Sequence, residues 1–227
     1  MDDVPYAFCD AVFACLETPS STYCTLYEIP PIKDSLWYAV ALDHRKKRTS
    51  FDFFVYMTPE GLFYEFRLFF GSNTVYSFKE LRQIDIKYLR MKFFTITQEP
   101  RADNGVKPFP VSGRSLEKII KYIQPVACSA NSLTVTVPNS LYSELLPRLL
   151  EPLQDSSFWN IDITEYNDAA INFLKKYIHN ECLYRVDIGF RCSDELLAIL
   201  EDFHCPETHK HITYPFYFPE PEEPEDP

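Results

Sequence analysis

Phe158-Trp159-Asn160-Ile161-Asp162-Ile163 and Leu183-Tyr184-Arg185-Val186-Asp187-Ile188 read alike and stand about 25 residues apart, a spacing that marks a repeating unit. Trp159, Ile161 and Ile163 alternate as a strand, and so do Tyr184, Val186 and Ile188. Upstream, Leu133, Val135 and Val137 give an earlier copy of the same period-2 pattern. A helix is predicted after each strand. Asn139 heads one carrying Leu141, Leu145, Leu149 and Leu153, with Pro147 placed to kink it; Asn167 caps one with Ala170, Ile171, Leu174 and Ile178; Ser193 opens one with Leu196, Leu197, Leu200 and Phe203. Ser115 is read as the cap of a helix before the first repeat strand, with Leu116, Ile119, Ile120 and Ile123 on one stripe. Right-handed crossovers would set the strands in parallel on one wall and the helices on the other, as a short curved solenoid.

N-terminal to this region the period changes. Glu99 to Gly113 reads as a long loop, Lys92 to Thr97 as a strand, and Phe78 to Leu89 as a helix. Phe51, Phe53, Val55 and Met57 alternate with Asp52, Phe54 and Tyr56, then Thr58-Pro59-Glu60-Gly61 supplies a turn, and Leu62, Tyr64, Phe66, Leu68 and Phe70 alternate again. This is an antiparallel hairpin with aromatic residues on both faces, so both faces need cover. Val4, Phe8, Val12 and Leu16 lie at helical spacing, as do Leu36, Trp37, Val40 and Ala41, with a short element between at Tyr23 to Ile29. The expected class is α+β: a small helical unit at 1–48, a β-rich hairpin region at 49–100, an α/β repeat region at 101–213 and an acidic, proline-rich tail at 214–227.

Twenty-two Lys and Arg face 33 Asp and Glu, a net charge of −11, which argues against a nucleic-acid partner held by phosphate contacts. No apolar run reaches the ~18 residues of a bilayer span, and Met1-Asp2-Asp3 carries acid where a secretory signal carries base. A cytoplasmic location is expected, with no membrane partner; the basic run His44 to Arg48 is a candidate nuclear-import signal. Five glycines leave no phosphate cradle of the GxGxxG type, and seven cysteines without a CxxC pair read as reduced, mostly buried thiols.

No nucleophile, zincin or deaminase motif surrounds the histidines, and no cofactor is expected. His204-Cys205-x-x-x-His209-x-His211 gathers metal-capable groups, but at a spacing unlike standard zinc modules, and it is read as a polar turn after a helix rather than as a metal site. Asp162 and Asp187 occupy equivalent repeat positions on the solvated face of their strands. With Tyr166, Tyr184 and Phe190 they make an acidic and aromatic surface suited to holding a target protein.

Phe158-x-x-Ile161-x-Ile163 followed by Asn167, and Leu183-x-x-Val186-x-Ile188 followed by Cys192, approximate the line of leucine-rich repeats. Val4-Pro5-Tyr6-Ala7-Phe8-Cys9-Asp10-Ala11-Val12, with Leu16 and Leu36-Trp37, resembles the F-box pattern. Phe78 to Arg90 resembles the middle of the nematode F-box-like protein families, in which the F-box precedes a repeat-like region. The resemblance implies a non-catalytic substrate receptor of an SCF-type cullin-RING ubiquitin ligase. It implies that Val4, Pro5, Phe8, Val12, Leu16 and Trp37 dock a Skp-type linker protein while the repeat region holds the target. An alternative keeps the fold without the ligase, as a stand-alone scaffold or decoy; a third, from another class, is a metal-dependent enzyme built on the His204 to His211 cluster.

Overall fold

The computed structural model of the chain describes residues 5–15, 36–68, 74–100, 107–127, 130–204 and 210–213. The expected element at 23–29 and the tail at 214–227 lie outside these residues. The two apolar stripes near the N-terminus form α1 (Tyr6–Cys15) and α2 (Leu36–Lys47). They pack on each other around a small core of Cys9, Phe13, Val40 and Ala41, with Leu36 and Trp37 at its edge.

Alternation over 51–57 gives β1 (Thr49–Thr58), and the Pro59-Glu60 turn returns the chain into β2 (Gly61–Leu68). Gly61 has φ 147°, a backbone state that any Cβ disfavours, so the return relies on glycine there. The strands pair antiparallel, from Phe51 opposite Leu68 to Thr58 opposite Gly61. β3 (Val75–Tyr76) borders β2. The helix predicted over 78–89 is shorter than expected. It comprises α3 (Phe78–Leu81), closed by a Ser77–Glu80 capping box, and a single 3-10 turn at Ile86–Tyr88. Asp85 stops it: in extended backbone, its carboxylate accepts from the Lys87 N–H and competes with the helical ladder.

Leu89 opens β4 (Leu89–Thr97), which runs parallel to β1 with a bulge between Phe51 and Phe53. Inside the stretch read as a loop, β5 (Phe109–Pro110) pairs with β2. Helix and strand then alternate: α4 (Gly113–Ala127), β6 (Ser132–Thr136), α5 (Leu145–Leu150), β7 (Asn160–Ile163), α6 (Asp168–Tyr177), β8 (Arg185–Ile188), α7 (Asp194–Phe203) and β9 (His211–Thr213). The nine strands form one mostly parallel sheet in the order β3-β2-β1-β4-β6-β7-β8-β9, with β5 on β2, so the chain is a mixed α/β protein. From β4 onward, β5 aside, each strand lies beside the one before it, and the helices cover the face that carries Leu133, Val135, Ile161, Ile163, Val186 and Ile188.

One core runs from Phe51 to Phe203. Phe53 stacks between Phe66, at 4.6 Å, and Phe94, at 5.0 Å, so three strands interlock through aromatic faces. The regions read separately as 49–100 and 101–213 therefore share one sheet and one core.

Two capping expectations hold as read: Asn167 accepts from the N–H groups of Ala169 and Ala170, and Ser193 from that of Leu196. Two differ. Ser112 rather than Ser115 heads α4, accepting from the Ser115 N–H. Asn139 does not cap α5, which begins six residues later; its side chain instead bonds the backbone and carboxylate of Asp168. Pro147 consequently falls in the first turn of α5, where its missing N–H is one the helix cannot use, and no kink is required.

Polar contacts tie the N-terminal pair to the sheet. Asp10 accepts from Lys87 Nζ and from His44 Nε2, each at 2.9 Å; Arg90 donates to the Ala14 carbonyl and Arg48 to the Phe13 carbonyl; the Tyr88 hydroxyl donates to Asp43. His44 is fully buried against Phe13 and Tyr88, and its Nδ1 has no hydrogen bond among the described residues. Burial is the main cause that pulls its pKa below the ordinary value, with Arg48 and Arg90 adding to it against the opposing pull of Asp10. An unfolded chain takes up a proton near pH 6.5 that the folded one refuses, so stability present above that pH is lost as pH falls below it. Thermal melts should show the midpoint falling from pH 7 to pH 5.5, and His44→Gln should flatten that slope.

Candidate functional site

The side of the sheet opposite the helices is the candidate site. In β6 to β9 the residues between the buried ones point there. Thr134, Asp162, Asp187 and Thr213 stand in register as one row, and Ser132, Asn160, Arg185 and His211 as the next. The row continues through Thr95 and Phe54 to Glu65 on β2. At that far end the charges are closed off. Glu65 is 2% exposed and accepts from Tyr56 Oη at 2.8 Å and Arg67 at 2.7 Å, while the Arg67 guanidinium lies 5.3 Å from the centre of the Phe54 ring.

At the near end, Asp187 receives Arg185 Nε on both oxygens, at 3.0 and 2.8 Å. Asp162 has a hydrogen bond of 3.4 Å from the Thr164 hydroxyl. Burial first, then the Asp187 carboxylate, pushes the Asp162 pKa above the ordinary carboxylate value. Asn160, two residues earlier on the same face, donates to Ser132 Oγ, while its Oδ1 is buried with no hydrogen bond among the described residues.

Aromatic side chains border the face at both strand ends. Beyond the C-terminal ends of β7 and β8, Tyr166 meets Phe190 edge-on at 5.5 Å; Tyr166 is 52% exposed and its hydroxyl donates to Asp168, which Asn139 holds in turn. At the N-terminal ends, Tyr184 stacks flat on Trp159 at 4.4 Å and meets His211 edge-on at 5.1 Å. Of the residues expected to form one target surface, Asp162 and Asp187 are neighbours in register and Tyr166 and Phe190 are in contact, whereas Tyr184 lies at the opposite rim. No family model, curated protein or solved structure matches this chain.

Of the expected linker-docking residues, Pro5 and Phe8 are exposed and Val12 and Trp37 partly so; Phe8 meets the Trp37 ring edge-on at 6.2 Å. Val4 and Leu16 lie outside the described residues. Phe8 at 54% exposure contrasts with its neighbour Cys9 at 0%, so the helix turns one stripe into its own core and leaves another to solvent. In the His204 to His211 cluster, Cys205 and His209 lie outside the described residues, His204 Nδ1 donates to the Lys210 carbonyl, and the His211 ring meets Tyr184. A cleft of about 300 Å³ lies between α5 and α6 on the helical side, lined by Arg148, Glu151, Asn172, Phe173 and Lys176. The Arg148 guanidinium there pairs with Glu117.

Asn160, Arg185 and Trp159 are not among the site residues to which the sequence points. The signal that finds Asn160 and Arg185 is parity: each stands two residues before an aspartate already assigned to the solvated face.

Proposed function

We propose that the chain is a non-catalytic protein receptor, of the kind that presents a target to an SCF-type cullin-RING ubiquitin ligase. The observation that carries this is the presence of two separate accessible surfaces of different chemistry. One is the apolar stripe of Pro5, Phe8, Val12 and Trp37 on a helical pair with its own small core; the other is the polar sheet face around Asp162 and Asp187. A bridging protein needs such a pair of surfaces, and its contribution is to raise the effective concentration of one partner near the other. The leucine-rich-repeat-like reading is supported by the layers Ala130-x-x-Leu133-x-Val135, Phe158-x-x-Ile161-x-Ile163 and Leu183-x-x-Val186-x-Ile188, every marked position of which is buried. Asn167, 1% exposed, donates to the Val137 carbonyl and so ties one layer to the one before.

The test is co-purification with a Skp-type linker. The full chain should retain it, and a chain lacking residues 1–48 should not. Phe8→Ala should weaken retention at least about tenfold, as truncating an interface anchor does, with a change in stability within about 0.5 kcal/mol because the ring is solvent-facing. Absence of linker with or without residues 1–48 would remove the ligase role.

A further inference from the structure

The helical pair and the sheet are built around two cores. Cys9, Phe13, Val40 and Ala41 form the first, and among the described residues it shares no member with the core that runs from Phe51 to Phe203. The ties between the two bodies are polar. Lys87 and Tyr88 of the 3-10 turn donate to Asp10 and Asp43, and Arg90 of β4 donates to the Ala14 carbonyl at 2.8 Å. His44 stands among these ties, fully buried, with Phe13 at 5.8 Å on one side and Tyr88 at 5.1 Å on another. Arg48 alone separates the end of α2 from the start of β1, so the covalent link is a single-residue hinge. A unit joined to its neighbour by a few polar contacts opens at a lower free energy than a shared apolar core does.

This cluster is set against a proton. His44 Nε2 meets a carboxylate oxygen of Asp10 at 2.9 Å, so in the neutral ring Nε2 carries the hydrogen and Nδ1 is bare. Nδ1 is buried without a hydrogen bond among the described residues, and protonation turns it into a charged donor lacking an acceptor. The charged and titratable groups around the ring are Asp10 from α1, Asp43 and Lys47 from α2, Arg48 at the hinge, and Lys87, Tyr88 and Arg90 from the 3-10 turn and β4. Four cations thus face two carboxylates. Asp10 favours the proton, but it already holds Lys87, as Asp43 holds Lys47. We propose that His44 is a pH-operated latch: the helical pair lies docked on β4 while the ring is neutral, and swings away about Arg48 as one unit when the ring takes up a proton. Once Tyr88 and the β4 cations withdraw, His44 is an ordinary imidazole titrating near pH 6.5. Docking is therefore complete above that pH and weakens as pH falls below it, because the docked ring binds its proton less readily. The pair carries the apolar stripe and the sheet carries the polar face, so the latch fixes the direction of one against the other, whatever each of them binds.

The test follows ring-to-ring nuclear Overhauser cross-peaks in the full chain, with isotope-labelled aromatic residues, from pH 7.5 to pH 5.5. Three contacts report separately: His44–Tyr88 across the latch, Phe13–Trp37 within the helical pair, and Phe53–Phe66 within the sheet. The His44–Tyr88 peaks should vanish below about pH 6.5, in step with the titration of the His44 ring, while the other two persist. His44→Gln, which cannot take up a proton, should keep the pair docked at pH 5.5, read by unchanged amide shifts at residues 87–91. Tyr88→Phe keeps the ring and removes the 3.1 Å hydroxyl tie to Asp43. It should raise the pH of release by about half a unit or more, since a weaker latch opens at a lower proton concentration, and it keeps the test intact should the glutamine variant fold poorly. The proposal is overturned if the His44–Tyr88 peaks survive at pH 5.5, if all three contacts are lost together as in general unfolding, if His44→Gln releases over the same range as the parent, or if Tyr88→Phe leaves the pH of release unchanged or lowers it.

Discussion

Glu65→Ala is expected to lower the free energy of unfolding by about 3–5 kcal/mol, the cost of removing one partner from a buried ion pair. The carboxylate is 2% exposed and joins the Tyr56 hydroxyl to the Arg67 guanidinium on adjacent strands, so its loss leaves a hydroxyl and a cation beneath the Phe54 ring without their acceptor. Urea unfolding followed by far-UV circular dichroism should show a lower midpoint at unchanged slope. Glu65→Gln, which keeps one acceptor oxygen for Tyr56, should fall between alanine and the parent. Asp162→Asn provides the contrast: that carboxylate stands in the same row, yet burial and Asp187 already disfavour its charged form. Its neutralisation should leave the midpoint unchanged or raise it. A large drop for Asp162→Asn, or none for Glu65→Ala, would contradict the distinction between a closed and an open end of this sheet face.

That distinction was not legible in the sequence, although the residues were. Strict alternation placed Asp162 and Asp187 on the solvated side, because a period of two fixes which side chains share a face. Whether each carboxylate finds a cation depends on the residues two places away along its own strand and on the neighbouring strands, and the second of these is set by register. The same limit applies to the fold. The hairpin, the Asn167 and Ser193 caps and the strands at Leu133, Ile161 and Val186 follow from local patterns. The parallel pairing of β1 with β4 does not, since it joins residues 49–56 to 89–97 across an intervening hairpin arm and two short helical turns. The expectation that both faces of the hairpin need cover is met by Phe54 and Tyr56, at 3% and 1% exposure, on the face away from Phe53 and Val55. The helix predicted over 78–89 failed for a local reason that spacing alone does not weigh, the Asp85 side chain capturing a backbone N–H.

Gly189→Ala is expected to be the second most damaging change, and it acts on the proposed target-binding face as well as on stability. Gly189 directly follows β8 and donates its N–H to the Ile163 carbonyl, which brings the chain against Thr164 at the end of β7. A Cβ at this position would lie 2.5 Å from the Thr164 carbonyl oxygen and 2.8 Å from its Cα. Both are backbone atoms, so no rotamer change relieves the overlap and the two strand ends must part. Forced overpacking of this kind costs about 1–3 kcal/mol, and separating the strand ends also parts Tyr166 from Phe190, whose contact sits just beyond them. Two readouts follow from one substitution: a lower unfolding midpoint, and altered amide shifts concentrated at 164–166 and 188–190 under native conditions. Gly61→Ala is the matched control, because its strain comes from positive φ rather than crowding, with side-chain atoms no closer than 3.8 Å. It should destabilise the hairpin without disturbing the Tyr166–Phe190 rim. If Gly189→Ala leaves both the midpoint and the rim shifts unchanged, the close approach of β7 and β8 does not shape this surface.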